Sequence, residues 1–427
     1  MALTLICTVG GSHQPILLAL KKNRPDYVCF VCSEDDPASG NKGSHVQIRG
    51  RGAVIKNHPD DERPSLPNIP VQAGLPDERY EVLEVPADEF EAAYSRVVEW
   101  LGRRARSGER LLADYTGGTK TMSAALVAAA LDVAGVELEV VTGPRVNLVR
   151  IEEGEQAVPA SVEDVRSRRR LCEALSLWRH HAYAESAELL APLHARHQAL
   201  AGELMRARRL SEAFAAWDRF DHAAARKVLD GFRAKLGPVA PELLGAVDAL
   251  CREGPGREPL RIFDLWRNAE RRAVQRRFDD AVARLYRVVE WSAQWLLRES
   301  AGIDTADVSA DQVPEGLQLA PNRDGRLQAG LFAAWELAAH HGGADVAAFW
   351  AAQREPLLDL LQRRNRSILA HGFEPVDESG WRAFARWTEQ WLLPLLLERT
   401  GREPYRIRCQ PPQLPQAYWW FEPGARG

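Results

Sequence analysis

"RLLADYTGGTKTMSAALVAAALDVAG", residues 110–135, reads as a strand, a turn and a helix in one line. The apolar run closes on Asp114, Gly117 and Gly118 break it, and apolar residues then recur at helical spacing from Thr119 onward. The start of the chain repeats the design. "LTLICTVG" ends on Gly10 and is followed by Gly11, Ser12 and then "HQPILLALKK". Three further short apolar runs, "YVCFVCS" (27–33), "YEVLEV" (80–85) and "VELEVVTG" (136–143), read as strands, and "DEFEAAYSRVVEWLGRRA" (88–105) as a helix between two of them. Strands alternating with helices predict a parallel, doubly wound α/β sheet. Ligands of such sheets sit beyond the carboxyl ends of the strands. Three loops fall there: "TVGGSHQP" (8–15), "SEDD" (33–36) and "DYTGGTKT" (114–121). Residues 35–79, rich in Gly, Pro, Asn and Asp, read as a long loop or irregular insertion, and "RVNLVRIEEG" (145–154) as a hairpin.

The bulk properties narrow the function classes. With 427 residues the chain is too long for one ordinary core, so two or three domains are expected. Its 45% hydrophobic and 27% charged content is that of a soluble globular protein. A net charge of −4 excludes a global basic field, so any contact with RNA or nucleotide must be local. No apolar run approaches 18 residues, so no membrane span is expected, and the opening "MALTLICTVGG" reads as a strand rather than a signal peptide. Scattered cysteines (7, 29, 32, 172, 251, 409) suit a reducing cytoplasm. Cys29 and Cys32 form a lone CxxC inside an apolar strand, where packing explains them better than zinc.

Beyond residue 160 the strand signals vanish. "EALSLWRHHAYAESAELLAPL" and "EAFAAWDRFDHAAARKVLDGF" align Trp178 with Trp217, Ala184 with Ala223 and Leu190 with Leu229. Two copies of a helical hairpin are expected here, as a packing linker rather than a true repeat array. "RFDDAVAR" at 277 echoes "RFDHAAAR" at 219, which suggests a shared turn-then-helix device. His340 and His341, just before a glycine, suit a helix C-terminus better than a metal, and His194 and His197 are read the same way. The aromatic, Pro-rich tail from residue 410, including Trp419 and Trp420, is expected to pack extended on the body.

Two stretches carry chemistry. In 114–121, Gly117 and Gly118 allow close backbone approach to a ligand, Thr119 and Thr121 flank a helix start that favours an anion, and Lys120 adds a charge. The P-loop pattern is not met, because Thr119 separates the glycine from Lys120, so an NTPase is disfavoured. "VGGSHQP" offers a second Gly-rich turn on the same sheet edge, and the pair suits a ligand with several phosphates; tight structural turns are the competing reading. The other stretch is "RNRSILAHGF" (364–373), two arginines and a histidine around a short apolar run.

Together, "TVGGSHQPI", "DYTGGTKTMSAAL", "RFDDAVARLYRVVE" and "RNRSILAHGF" resemble the CARF–HEPN family of CRISPR-associated ribonucleases from type III systems. The resemblance runs nearly end to end and is strongest in 1–150 and 260–375. It implies a Rossmann-like CARF sensor of cyclic oligoadenylate at 1–155, a helical linker at 156–256, an all-α HEPN domain at 257–405 and a tail at 406–427. It further implies a homodimer that cuts single-stranded RNA without a metal or other cofactor, with cyclic oligoadenylate as allosteric activator. The sensor would be lined by Gly10, Gly11, Ser12, Gln14, Thr116, Gly117, Gly118, Thr119, Lys120 and Thr121. The ribonuclease site would hold Arg364, Asn365, Arg366 and His371. Whether the sensor also degrades its ligand is left open.

The family motif is Arg, four to six residues, then His. Arg366 meets it with four residues between and Arg364 with six. Asn365 after Arg364 matches the family's polar neighbour; Ser367 after Arg366 does not. On a continuous helix Arg364 would return to within about 20° of His371, and Arg366 would lie about 140° away. If the helix stops short of His371, Arg366 can still converge, so both are kept. His371 has the proton affinity for general acid–base work near neutrality, and an arginine fork suits the charge of a phosphorane. The rival expectation is a non-catalytic nucleotide-sensing regulator whose helical domain binds a partner.

Overall fold

β1 (Leu3–Thr8) is apolar on both faces because helices cover it on both sides. Ile6 points into one core, while Leu5 and Cys7 point into the other. The computed structural model describes residues 2–37, 40, 42–49, 66–142, 145–146, 150–151, 156–233, 240–370, 372–408 and 410–418. They form two compact units, Met1–Arg166 and Ser167–Gly427.

In the first unit the chain runs β1, α1 (Gln14–Asn23), β2 (Tyr27–Ser33), α2 (Ile69–Ala73), β3 (Tyr80–Val85), α3 (Phe90–Arg106), β4 (Arg110–Asp114), α4 (Lys120–Asp132) and β5 (Glu137–Thr142). A two-stranded hairpin of β6 (Arg145–Val146) and β7 (Arg150–Ile151) follows, then β8 (Gln156–Ala160). The sheet order is β3-β2-β1-β4-β5-β8, parallel throughout except that β8 joins β5 antiparallel. The expected α/β class holds, with helices packed on both faces. α3 and α4 fill one face around Trp100 and Leu126; α1 and α2 cover the other around Leu20 and Ile69. The chain steps outward from β1 to β3, then crosses back to β4 and continues to β5. The gap above β1 and β4 is therefore the switch point of the sheet. Cys29 and Cys32 point into opposite cores, which accounts for the lone CxxC by packing. β8 lies past residue 155 and extends the sheet to Ala160. As an edge strand it buries little, so it lacks the apolar signature of the others.

The second unit is helical. α5 (Glu163–Ser176) leads into it, and α6 (Tyr183–Leu190), α7 (Gln198–Asp218), α8 (His222–Phe232) and α9 (Ala240–Cys251) build one core around Trp178, Phe214 and Trp217. The paired hairpins share one turn: His181 and Phe220 both take the left-handed conformation (φ 53° and 66°) before the next helix starts. Arg276 (φ 59°) repeats it between α10 (Arg257–Val274) and α11 (Phe278–Ala301). The echo between 219 and 277 is thus real in kind but offset by two residues, because Arg276, not Phe278, matches Phe220. Residues 410–418 pack as expected for the tail. Leu414 and Tyr418 are buried in the core of α5–α9, and Tyr183 donates to the Pro415 carbonyl at 2.6 Å. Trp419 and Trp420 lie outside the described residues.

α10 and α11 with α12 (Leu331–His341), α13 (Ala344–Asn365), α14 (Glu378–Trp387) and α15 (Leu393–Thr400) surround a second core around Phe263, Trp295 and Trp335. His340 and His341 end α12, and His341 Nε2 lies 2.7 Å from the Gln312 carbonyl. Among the described residues no helix is long and apolar enough to cross a membrane.

Candidate functional site

The two Gly-rich loops meet at the switch point because β1 and β4 are neighbours. A Cβ on Gly117 would lie 2.2 Å from the Thr8 carbonyl oxygen, and one on Gly10 would lie 2.6 Å from the Gly118 nitrogen. The glycines therefore permit loop-to-loop contact, whereas the sequence suggested approach to a ligand. Gly118 also takes the left-handed conformation (φ 78°). The Gly117 carbonyl accepts hydrogen bonds from the Thr8 hydroxyl (2.7 Å) and the Ser123 hydroxyl (2.6 Å). Thr119 caps α4 by accepting from the Met122 N–H at 3.2 Å, and its hydroxyl also bonds the Ala87 carbonyl. The Thr116 hydroxyl accepts from Val141 N–H at 2.8 Å.

The expected sensor residues thus divide by role. Gly10, Gly117 and Gly118 bring the two loops into contact, while Thr116 ties the second loop to Val141 of β5 and Thr119 ties it to Ala87 and the start of α4. Gly11, Ser12, Gln14 and Lys120 are exposed on the same edge, with Thr121 half-buried beside them. Lys120 occupies the first position of α4, where unpaired backbone N–H groups and a lysine together favour an anion. The turn after β2 closes beside them. Asp35 accepts from Gly43 N–H (2.8 Å) and Lys42 (2.9 Å) and lies 2.8 Å from His45 Nε2, contacts that hold its carboxyl well below the usual range. Gln47 donates to the Gly10 carbonyl. Sequence reasoning missed this support, since Gln47 sits in an insertion without periodic signal.

Beneath the loops two acids are buried on the α1 face. Glu139 pairs with Lys22 at 2.7 Å, with Asn23 also donating to it. Asp114 accepts from Thr116 N–H at 2.8 Å, but its other oxygen has no partner among the described residues. Burial pushes the Asp114 carboxyl up to about 6, against the opposing bonds from Thr116.

The second candidate is a cavity of about 280 Å³. Its walls include Val282 of α11, Leu360 of α13, and Ser379, Gly380 and Phe384 of α14. Arg364 and Arg366 both line it, beside Glu374 and Asp377. α13 stops at Asn365, so the helical argument for preferring Arg364 has no helix to act on. The chain then doubles back: Glu374 N–H donates to the Arg366 carbonyl at 3.0 Å, and Gly372 N–H donates to the Ser367 carbonyl at 3.2 Å. Only glycine fits at 372, where a Cβ would stand 1.9 Å from the Arg366 carbonyl oxygen. That fold-back brings both arginines to one cavity. They differ in support. Arg364 is half-buried, with its guanidinium 4.1 Å from the centre of the Tyr286 ring and 3.3 Å from Asn365 Oδ1; Arg366 is exposed. Ile368, Leu369 and Phe373 beside them are exposed too, Phe373 by 89%. His371 lies outside the described residues. Among those residues no group of three or more His, Cys, Asp and Glu is placed to hold a metal ion.

The part of the chain that carries this cavity is also the part that a known family matches. Residues 253–392 match the Csm6 HEPN domain. The resemblance read from the motifs is borne out there, and the HEPN domain contains both arginines and the fold-back. The whole structure is similar to that of Enterococcus italicus Csm6 bound to cyclic hexa-2′-fluoro-hexa-dAMP, with a TM-score of 0.55 and 11% identity, covering 93% of this chain and 94% of that one. At that identity the likeness concerns the fold, and it extends from the sheet to the HEPN domain. A type III CRISPR defence DNA nuclease activated by cyclic oligoadenylate covers 50% of this chain and 34% of its own, at 14% identity and a TM-score of 0.25, too low to carry weight. No curated protein sequence matches.

Proposed function

We propose that this protein is a cyclic-oligoadenylate-activated endoribonuclease of CRISPR defence, acting on single-stranded RNA. One observation carries the reading: within the HEPN domain, the arginines on either side of Asn365 converge on one cavity, with six and four residues separating them from His371 in sequence. The switch-point loops, with Lys120 and the start of α4 exposed, suit repeated phosphates, and the Csm6 of similar fold holds a cyclic oligonucleotide.

The chemistry follows from the residue types. The RNA 2′-oxygen attacks the adjacent phosphorus as its proton leaves to a base. The bond from phosphorus to the 5′-oxygen breaks, and that oxygen takes up a proton. The products are a 2′,3′-cyclic phosphate and a 5′-hydroxyl. His371 is the proton carrier in this scheme. Arg364 and Arg366 face the charge that develops on the phosphorane. Asn365, next to Arg364, orients the fork. None of these steps calls on a metal. The exposed Ile368, Leu369 and Phe373 are the apolar surface that a second copy would cover in a homodimer.

His371→Ala tests the assignment. The variant should lose RNA cleavage while keeping the wild-type melting temperature and oligomeric state. Cleavage at the wild-type rate would remove His371 from the site.

A further inference from the structure

We infer that Tyr286 is a positioning residue for the ribonuclease site: its ring holds the Arg364 guanidinium in the orientation that meets the scissile phosphate. The inference rests on the proposed function and deepens it. Tyr286 lies on α11, four residues and so about one helical turn beyond Val282, which lines the same cavity. The Arg364 guanidinium carbon lies 4.1 Å from the centre of its ring, and Tyr286 itself packs against the core of the HEPN domain. Burial raises the phenol above its ordinary value, and Glu290 adds to that, so the ring stays neutral in the working range.

An arginine on a frayed helix end normally samples many rotamers. Arg364 is the penultimate residue of α13 and would be free in that way without a support. A contact at this distance between a guanidinium and a neutral aromatic ring restrains the fork through its carbon centre. Its N–H edge is little used within the protein: Nε is buried without a partner among the described residues, and the hydrogen bond to Asn365 Oδ1, at 3.3 Å, is long. An edge kept unspent and a centre held by a ring describe a preorganised anion ligand. Arg366, exposed and with no aromatic ring beneath its guanidinium among the described residues, is left to contact the substrate less rigidly. The structure therefore separates two arginines that sequence spacing could not.

Two substitutions split the ring from the hydroxyl. Tyr286→Phe keeps the ring and should cleave RNA within about twofold of wild type. Tyr286→Leu keeps apolar bulk but loses the π face. It should lower kcat by roughly tenfold with KM changed by less than about threefold, since the contact acts on orientation in the transition state. The assay is cleavage of labelled RNA by the protein with cyclic oligoadenylate, in the steady state for kcat and KM and under single-turnover conditions for the chemical step, alongside thermal melting. Arg364→Ala completes a double-mutant cycle. If the ring acts through Arg364, Tyr286→Leu should cost nothing further in the Arg364→Ala background. If Arg364→Ala is impaired while Tyr286→Leu matches wild type, or if Tyr286→Leu costs the same tenfold in both backgrounds, the ring has no positioning role and the inference is overturned. If Arg364→Ala itself cleaves at the wild-type rate, the site reading fails first and takes the inference with it.

Discussion

Gly117→Ala is the smallest change that should uncouple the sensor loops. The added methyl would stand 2.2 Å from the Thr8 carbonyl oxygen, so the loops must part by roughly 1 Å or more to restore an ordinary contact. The Gly117 carbonyl is bonded across the loops by the Thr8 hydroxyl at 2.7 Å and within its own loop and helix by the Ser123 hydroxyl at 2.6 Å. A separation of that size takes the Thr8 bond out of range and strains the other. At about 0.5–1.5 kcal/mol each, losing them costs about 1–3 kcal/mol. If the activator binds only the joined loops, this appears as a fivefold to hundredfold rise, roughly, in the concentration giving half-activation. The assay is a titration of cyclic oligoadenylate with RNA cleavage as readout, and the plateau should stay near wild type. Gly11→Ala is the control for stability: a Cβ there meets nothing within 4 Å, so it should melt like wild type. A Gly117→Ala protein with wild-type half-activation and wild-type melting would refute the coupling of the two loops.

Lys120→Ala should raise the half-activation concentration about tenfold and leave the cleavage plateau unchanged, because one charge-assisted contact is lost at the sensor and none at the ribonuclease site; a lowered plateau with unchanged half-activation would place Lys120 elsewhere. Asp114 holds its proton to about pH 6 against an ordinary 3.8, so between those values the folded state binds more protons than the unfolded one, and stability falls as pH rises through the window. Asp114→Asn should therefore gain up to about 3 kcal/mol in urea unfolding at pH 7 and almost nothing below pH 4; equal effects at both pH values would contradict the buried neutral acid. In the helical unit His222 Nε2 lies 2.8 Å from the fully buried Asp264, to which Trp217 also donates at 3.1 Å. His222→Ala leaves that carboxylate short of a partner and should cost about 3–5 kcal/mol in denaturant unfolding, whereas a loss under about 1 kcal/mol would show the pair to be dispensable.

The sheet was legible because its central strands are buried on both faces, which leaves unbroken apolar runs such as "LTLICT" and "YVCFVCS". β8 was not, because an edge strand with a single buried residue carries no such mark. The helical hairpins announced themselves through Trp178 and Trp217, both fully buried at matching positions. The third turn was read two residues out of step, since the left-handed residue is Phe220 in one copy and Arg276 in the other and neither is glycine. At the sensor edge the loops were visible from their glycines, but not that the glycines serve each other; contact between residues more than a hundred positions apart follows from strand order, which local pattern does not contain. The arginine motif was legible as a motif only. "SIL" after Arg366 looks like a continuation of the helix, yet Ser367 turns inward at 2% exposure while Ile368 is 57% exposed, and α13 has already ended. The fold-back that brings Arg364 and Arg366 together depends on hydrogen bonds from Gly372 and Glu374, and Tyr286 comes from a helix nearly eighty residues upstream.

The central claim is that ligand binding at the sheet releases RNA cleavage in the HEPN domain. It is tested most directly by incubating the full-length protein with end-labelled single-stranded RNA in EDTA, with and without cyclic oligoadenylates of each ring size, and identifying the product ends. The account predicts cleavage only when one ring size is present, undiminished by EDTA, with 2′,3′-cyclic phosphate and 5′-hydroxyl ends and no cutting of DNA. Silence with every ring would favour a regulator that does not cut, and EDTA-sensitive cleavage leaving 5′-phosphates would contradict the proposed chemistry.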